Sequence, residues 1–303
     1  MPVPPGGYSW WYIDALSDDK QHGLTIIAFI GSVFSPYYAW SGWRDPENYC
    51  AMNVALYRAG RDRWTMTERG RGDLSRSHSS IAIGPSSMHW DGDALKLEID
   101  EWTAPLPSRV RGTVTLRPEA INTQSFALDA GERHHWRPIA PRARVDVRFD
   151  GGALDWSGDA YFDSNWGEEP LERGFRSWHW SRAHTHNGTQ IYYDVTPRSG
   201  ADRSLALHFD QAGSATEIDP PQHAQLPNTF WRVPRATRGP AGAAPRLVRT
   251  LEDAPFYARS QLIGEINGAP ADIMHESLSL DRFRMPIVRA MLPFRMPRIV
   301  GRR

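Results

Sequence analysis

The chain has 303 residues, 40% apolar and 23% charged, with 35 basic and 35 acidic side chains that cancel. This composition excludes a disordered chain, and the zero net charge gives no argument for a nucleic-acid partner. A lone Cys50 excludes an internal disulfide framework and suits a reducing compartment.

In chain order, YSWWYID opens a strand at Tyr8, and SDDKQHG is a turn. The apolar, β-branched run LTIIAFIGSVF, residues 24–34, follows as a buried strand and closes a hairpin. It is too short to span a membrane, and MPVPPGGYSWWYID lacks the basic start and apolar run of a signal peptide. The expectation is a cytoplasmic chain.

Residues 35–49, SPYYAWSGWRDPENY, form an aromatic loop broken by Pro and Gly. CAMNVALYR and WTMTERG are strands, and SSIAIGPSSMHWDGDALKLEIDEWT holds three strand-like runs split by GPSS and DGD. RVRGTVTLRP alternates as a half-solvated antiparallel strand does. Further strands are expected at GTQIYYDVTPR, SLALHFD, ATEID, TFWRV and within RLVRTLEDAPFYARSQLIGEING. Residues 212–246, rich in Pro, Ala and Gly, read as the longest loop. Short strands punctuated by turns predict an all-β protein of two antiparallel barrels or sandwiches. The expected division is residues 1–165, 166–275 and a C-terminal tail, 276–303, with short helix at SLSLDRF and IVRAML.

That tail carries Arg282, Arg284, Arg289, Arg295, Arg298, Arg302 and Arg303, with no acid after Asp281, interleaved with apolar residues. A basic amphipathic end can lie on an anionic membrane surface; the plainer alternative is a solvated helix packed on the barrel.

The chemistry concentrates in and just before DWSGDAYFDSNWGEEPLERGFRSWHWSR, residues 155–182. Of thirteen tryptophans, Trp156, Trp166, Trp178 and Trp180 lie here, with Trp136 upstream in HHWRP. Tyr161 and Asp163 are two apart on a predicted strand and share a face; His134 and Trp136 do the same. Asp163 has a plainer alternative, as the Asx residue of a turn at DSNWG.

At YFDSNWG, SWHWSR, the tail LDRFRMPIVRAMLPFRMPR and the opening GYSWWYIDALSDD, the chain resembles the acyclic carotenoid 1,2-hydratases, or hydroxyneurosporene synthases, from about residue 6 onward. Some members carry a longer N-terminal region ahead of this opening. The resemblance implies a pair of lipocalin-like barrels and hydration of the terminal C1–C2 double bond of neurosporene or lycopene. It implies no cofactor and a place on the route to spheroidene or spirilloxanthin in phototrophic bacteria. The family's functional positions fall on His134, Trp136, Tyr161 and Asp163.

Hydrating an isolated trisubstituted alkene requires a proton on C2, a tertiary cation at C1 and capture of water. A carboxylic acid in an apolar site suits the first step, because desolvation raises its pKa. Asp163 is the expected donor. Trp136 and Tyr161 offer π-faces to the cation, worth ~2 kcal/mol when desolvated, and Tyr161 alternatively bonds Asp163. His134 is the expected acceptor of the water's proton, whereas His135 points the other way.

Trp166, Trp178, Trp180 and Phe162 are expected to line the polyene, whose binding rests on apolar burial at ~25 cal/mol per Å². A substrate dissolved in membrane leads to an expectation of peripheral membrane association through the tail and loop 35–49. Asp194 is a weaker candidate acid. A metal at His179, His184 and His186 with Asp163 or Glu168 lacks any ligand motif such as HExxH and is not expected. Two further readings stay open: a non-catalytic carrier of an apolar ligand, and a two-barrel pericyclic cyclase.

Overall fold

The computed structural model describes residues 2–58, 62–152 and 154–300; the tail's Arg302 and Arg303 lie outside them. Two compact units emerge. The first comprises Met1–Phe126, Arg133–Pro170 and Arg289–Arg303, and the second Ala127–Glu132 and Leu171–Val288.

The first unit is one 13-stranded sheet. Its strands are β1 (Tyr8–Ser17), β2 (His22–Ile30), β3 (Cys50–Arg58), β4 (Arg63–Arg69), β5 (Leu74–Arg76), β6 (Ser80–Ile83), β7 (Ser86–Trp90) and β8 (Leu95–Trp102). They continue with β9 (Arg109–Pro118), β10 (Phe126–Ala127), β11 (His134–Phe149) and β12 (Leu154–Gly167). The order is β4-β3-β2-β1-β12-β11-β9-β8-β7-β6-β5, with β10 on β11 and a thirteenth, two-residue strand from the tail, Arg298–Ile299, outside β4. Sequential hairpins account for most of it; the exception is β1, which pairs both β2 and the distant β12.

The alternation expected of β9 is real and is shared by β8: Leu95, Leu97, Ile99, Val110, Val114 and Leu116 face one core while the residues between them are exposed or half-buried. Ile13, Leu24, Ile26, Met52, Val54, Val145 and Val147 join that core. The sheet curls round it, which brings β4 alongside β8. There Arg69 donates to both oxygens of Glu101, at 3.1 and 2.8 Å, and Ser86 Oγ donates at 2.8 Å. A fully buried carboxylate is tolerable only with such partners, and removing one leaves an uncompensated charge.

The second unit contains β13 (Phe175–Thr185), β14 (Gly188–Pro197), β15 (Arg203–Phe209), β16 (Ala215–Glu217), β17 (Gln222–Gln225), β18 (Ala236–Gly239), β19 (Arg246–Asp253), β20 (Tyr257–Ile266) and β21 (Ala269–Ser279). The sheet runs β16-β15-β14-β13-β21-β20-β19, with β17 and β18 as a separate pair. Its core gathers Ala183, Leu226, Leu262, Ile266, Ala271 and Ile273.

Among the described residues helix is confined to α1 (Pro36–Trp40), α2 (Leu171–Gly174), α3 (Leu280–Phe283), α4 (Pro286–Met291) and single 3-10 turns. The tail ends in β22 (Arg298–Ile299), parallel to β4. Arg298 pairs with the buried Glu68 and lies over Tyr49, 4.3 Å from the ring centre. Burial pushes the Glu68 carboxyl up to about 7, against the pull of Arg298.

The all-β, lipocalin-like class holds, with a short helical tail. Several boundaries do not. Position 165/166 lies inside β12 and 275/276 inside β21, because continuous ladders cross both. Residues 289–300 belong to the first unit, so the tail is not separate. TFWRV is irregular rather than strand, while the supposed long loop holds β16, β17 and β18. The second strand stops at Ile30 because Gly31 turns the chain with φ of 65°.

Candidate active site

β12 is central to the site, between β1 and β11. Its alternate residues Tyr161, Asp163, Asn165 and Gly167 pair with Asp14, Tyr12, Trp10 and Tyr8 of β1. On the other side Asn165 pairs with Trp136 and Gly167 with His134. These residues share the face opposite the first unit's core, since Trp11, Ile13 and Phe162 supply the core side. β1 is buried along both faces, unlike a sheet with one solvated side.

Asp163 sits at the centre of this face and is 4% exposed. Its Oδ2 accepts two hydrogen bonds, from Trp136 Nε1 at 2.9 Å and from Tyr161 Oη at 2.8 Å. Trp136 and Tyr161 are fully buried. Asp163 stands in mid-strand, so the turn alternative is overturned. Opposite it on β11 is Pro138, which has no N–H for the ladder, and the register shifts between Pro138 and Ala140 and again before Ala143. Such bulges bend a strand and re-aim its side chains, and here they adjoin the carboxylate.

Burial, the largest cause, holds the Tyr161 hydroxyl well above the usual phenol range. Tyr161 therefore stays a donor. Tyr12 meets its ring edge-on at 6.2 Å, and Tyr12 Oη donates to the buried Asp14 at 3.2 Å. Phe126 lies against Trp136 at 5.7 Å.

His134, also fully buried, occupies the end of the same face. Its Nδ1 lies 2.8 Å from Tyr8 Oη and its Nε2 3.3 Å from Glu169 Oε1. The Tyr8 ring stacks on Trp10 at 4.9 Å. Gly167 makes this arrangement possible: a Cβ there would stand 2.6 Å from Tyr8 Cε1 and 2.7 Å from His134 Nδ1.

The structure thus brings together Asp163, Tyr161, Trp136 and His134. Of the expected aromatic lining, Phe162 and Trp166 lie on the other face of β12. Phe162 packs into the hydrophobic core, because its position in β12 points away from Asp163. Trp166, on the same side as Phe162, stacks on His135 at 5.2 Å. Trp178 and Trp180 are buried on β13 in the second unit, Trp178 edge-on to Tyr193 at 6.1 Å. Asp194, the alternative acid, is gripped by Arg238 Nε and Nη2 at 2.7–3.0 Å and is an ion-pair partner instead. Among the described residues no group of three or more His, Cys, Asp or Glu is placed to hold a metal ion.

Sequence reasoning missed Tyr8, Trp10, Tyr12, Asp14, Gly167 and Glu169. The signal existed in YSWWYID, whose Tyr8, Trp10, Tyr12 and Asp14 alternate in the same way as Tyr161 and Asp163. Only the register with β12 shows that the two alternations meet.

The chain is similar to several known proteins. The chain is 56% identical over 305 residues to the acyclic carotenoid 1,2-hydratase of Thiocapsa roseopersicina, covering 99% of this chain and 75% of that one. It is 49% identical to the enzyme of that name from Rubrivivax gelatinosus, over 98% and 75% of the two chains. With the one from Cereibacter sphaeroides it shares 42% over 91% and 99%. The fold is similar to CghA with Sch210972, at a TM-score of 0.58, 12% identity and 91% and 89% coverage. It is similar also to kievitone hydratase from Nectria haematococca, at 0.56, 9% identity and 93% and 92% coverage. Residues 26–303 match the family model described as carotenoid hydratase CrtC, and the chain belongs to that family.

Proposed function

We propose that this chain is a cofactor-independent hydro-lyase that adds water to the terminal C1–C2 double bond of an acyclic carotenoid. Neurosporene, lycopene and their 1-hydroxy derivatives are the expected substrates. The observation that carries the proposal is the buried carboxyl of Asp163, held through one oxygen by two aromatic donors.

With Oδ2 accepting from Trp136 and Tyr161, the acid proton of Asp163 is carried on Oδ1. The alkene π pair takes this proton to form the C2–H bond, and the O–H electrons remain on the carboxylate. Charge grows on Oδ2 as the proton leaves, so the two donor bonds are stronger in the transition state than before it. That difference is what lowers the barrier. The tertiary cation at C1 faces the π clouds of Trp136 and Tyr161, which stabilise it without trapping it covalently. A water lone pair then forms the C1–O bond, and loss of a proton toward His134 gives the tertiary alcohol.

The test is turnover of lycopene in liposomes by wild type and Asp163→Asn, with circular dichroism as the folding check. A folded variant reduced at least ~10³-fold supports the assignment. Near wild-type turnover removes Asp163 from the mechanism. A wild type that binds lycopene without forming alcohol favours the carrier or cyclase reading.

The chain is further proposed to collect its substrate at a membrane surface. Among the described residues no helix is long and apolar enough to cross a membrane. In the tail Phe294 is 71% exposed, and Ile299 and Val300 are also exposed, as is Trp40 of loop 35–49. Part of the tail's basic charge is engaged internally, Arg298 by Glu68 and Arg295 over Trp64 at 4.5 Å. The apolar side chains are therefore the stronger candidates for lipid contact. Replacing Phe294 and Ile299 by Ser is expected to lower flotation with anionic liposomes severalfold, and unchanged flotation sinks the idea.

A further inference from the structure

At one end of the buried face, three side chains form a continuous chain of hydrogen bonds. Glu169 Oε1 lies 3.3 Å from His134 Nε2, and His134 Nδ1 lies 2.8 Å from Tyr8 Oη. The second oxygen of Glu169 accepts from Arg133 Nη1 at 3.1 Å. The Glu169 side chain is 22% exposed, whereas that of His134 is fully buried. Paired with Arg133, Glu169 is a carboxylate, a group with acceptors only. The nitrogen facing it, Nε2, then carries an N–H. In the neutral imidazole Nδ1 is the bare nitrogen, and it accepts a hydrogen bond from the Tyr8 hydroxyl. The tautomer is set by Glu169, and the direction of the phenol O–H is set by the tautomer. Stacking of Tyr8 on Trp10 and the missing Cβ of Gly167 fix the ring that carries it.

We propose that Tyr8 is the group that takes the proton from the captured water, with His134 behind it and Glu169 as the positioning residue that sets the imidazole. This deepens and rests on the hydratase reading. It also modifies the expectation that His134 meets the water directly, since each of its ring nitrogens faces a protein partner.

The step balances. One O–H bond of the C1-bound oxonium breaks, and its electron pair stays on the oxygen as the alcohol. Its proton forms a bond to Tyr8 Oη while the original Tyr8 proton passes to Nδ1. His134 becomes an imidazolium facing the Glu169 carboxylate, the arrangement by which a carboxylate stabilises a charged imidazole in hydrolase triads. The cycle closes when the imidazolium releases one proton and Asp163 regains one, so water is added with no net gain or loss of protons.

The experiment compares Tyr8→Phe, Glu169→Ala and wild type in the liposome assay on the full chain, with thermal melting as the folding check. Tyr8→Phe is expected to lower kcat about 10²-fold, the lower range for loss of a general base. Glu169→Ala is expected to lower kcat about 10- to 100-fold with KM unchanged, as loss of an orienting partner does. Added formate should restore Glu169→Ala but not Tyr8→Phe, a distinction that a merely structural role would not produce. A second measurement is independent of turnover: the ¹⁵N spectrum of histidine-labelled protein, with His134 assigned from His134→Gln. Wild type should show Nε2 protonated and Nδ1 bare, and Glu169→Ala should lose that preference.

A protonated Nδ1 in wild type overturns the proposal, as does undiminished kcat in Tyr8→Phe beside a normally active wild type. If the wild type forms no alcohol, the hydratase reading fails and the acceptor role falls with it, while the spectrum still decides the tautomer.

Discussion

Trp136→Phe separates the two things that Trp136 is asked to do. The substitution keeps an aromatic face for the cation and deletes the N–H that donates to Asp163 Oδ2 at 2.9 Å. Removing one preorganised donor from a site of developing negative charge typically costs 10²–10³ in kcat. Tyr161 still donates to the same oxygen at 2.8 Å, so the lower end applies. The expected loss is about 10²-fold, or about 2.7 kcal/mol in ΔΔG‡. Tyr161→Phe should cost a similar factor, because it removes the other donor and keeps its ring. Trp136→Leu, which removes both face and donor, should cost more than Trp136→Phe. The assay is initial rate of alcohol formation from lycopene in liposomes, under saturating substrate so that kcat is read. Trp136 is fully buried, so melting temperature must be measured alongside to exclude a packing loss. A Trp136→Phe enzyme within threefold of wild type would refute the donor role and leave the ring face as the residue's contribution.

Two other predictions concern packing and pH. Gly167→Ala places a Cβ 2.6 Å from Tyr8 and 2.7 Å from His134, so it should cost about 1–3 kcal/mol in urea denaturation and break the Tyr8–His134 bond, with kcat falling at least tenfold; normal activity would show that the contact can relax. In the second unit, burial lowers His179 to about 4 and His275 to about 3, and Ser277 Oγ lies 2.7 Å from His179 Nδ1. Both values lie below the 6.5 of an unfolded histidine, so the unfolded chain binds more protons in between. Their contribution to stability is present above about pH 6.5 and is lost as pH falls through about 4 and 3. Each histidine should cost about 2 kcal/mol on going from pH 6.5 to pH 5, read from urea midpoints, and His275→Gln should flatten that slope. An equally steep slope in the variant would mean that other groups govern the acid limb.

The chemistry of single strands was legible without the fold. Period-two spacing placed Tyr161 with Asp163 and His134 with Trp136, and it turned His135 to the other side, where it stacks on Trp166. The same rule, applied to neighbours in sequence, failed for Phe162. Being next to Asp163 on a strand guarantees the opposite face, and here that face is the apolar core. TFWRV failed for a different reason. β-branched and aromatic composition favours a pleated surface only where a partner strand is available, and none pairs with that segment among the described residues.

The sequence by itself determined the all-β class, most strand positions and the pairing of residues within each strand, because side-chain alternation is a local property of extended backbone. Tertiary structure decided what lies beside what across strands. β1 and β12 are separated by more than a hundred residues, and no local rule specifies that Asp14 pairs with Tyr161 or Tyr8 with Gly167. Register is fixed by the buried pattern of both partners together, and a slip of one residue would exchange the polar face for the core. The chain of Glu169, His134 and Tyr8, and the glycine that makes room for it, exist only because that register is satisfied.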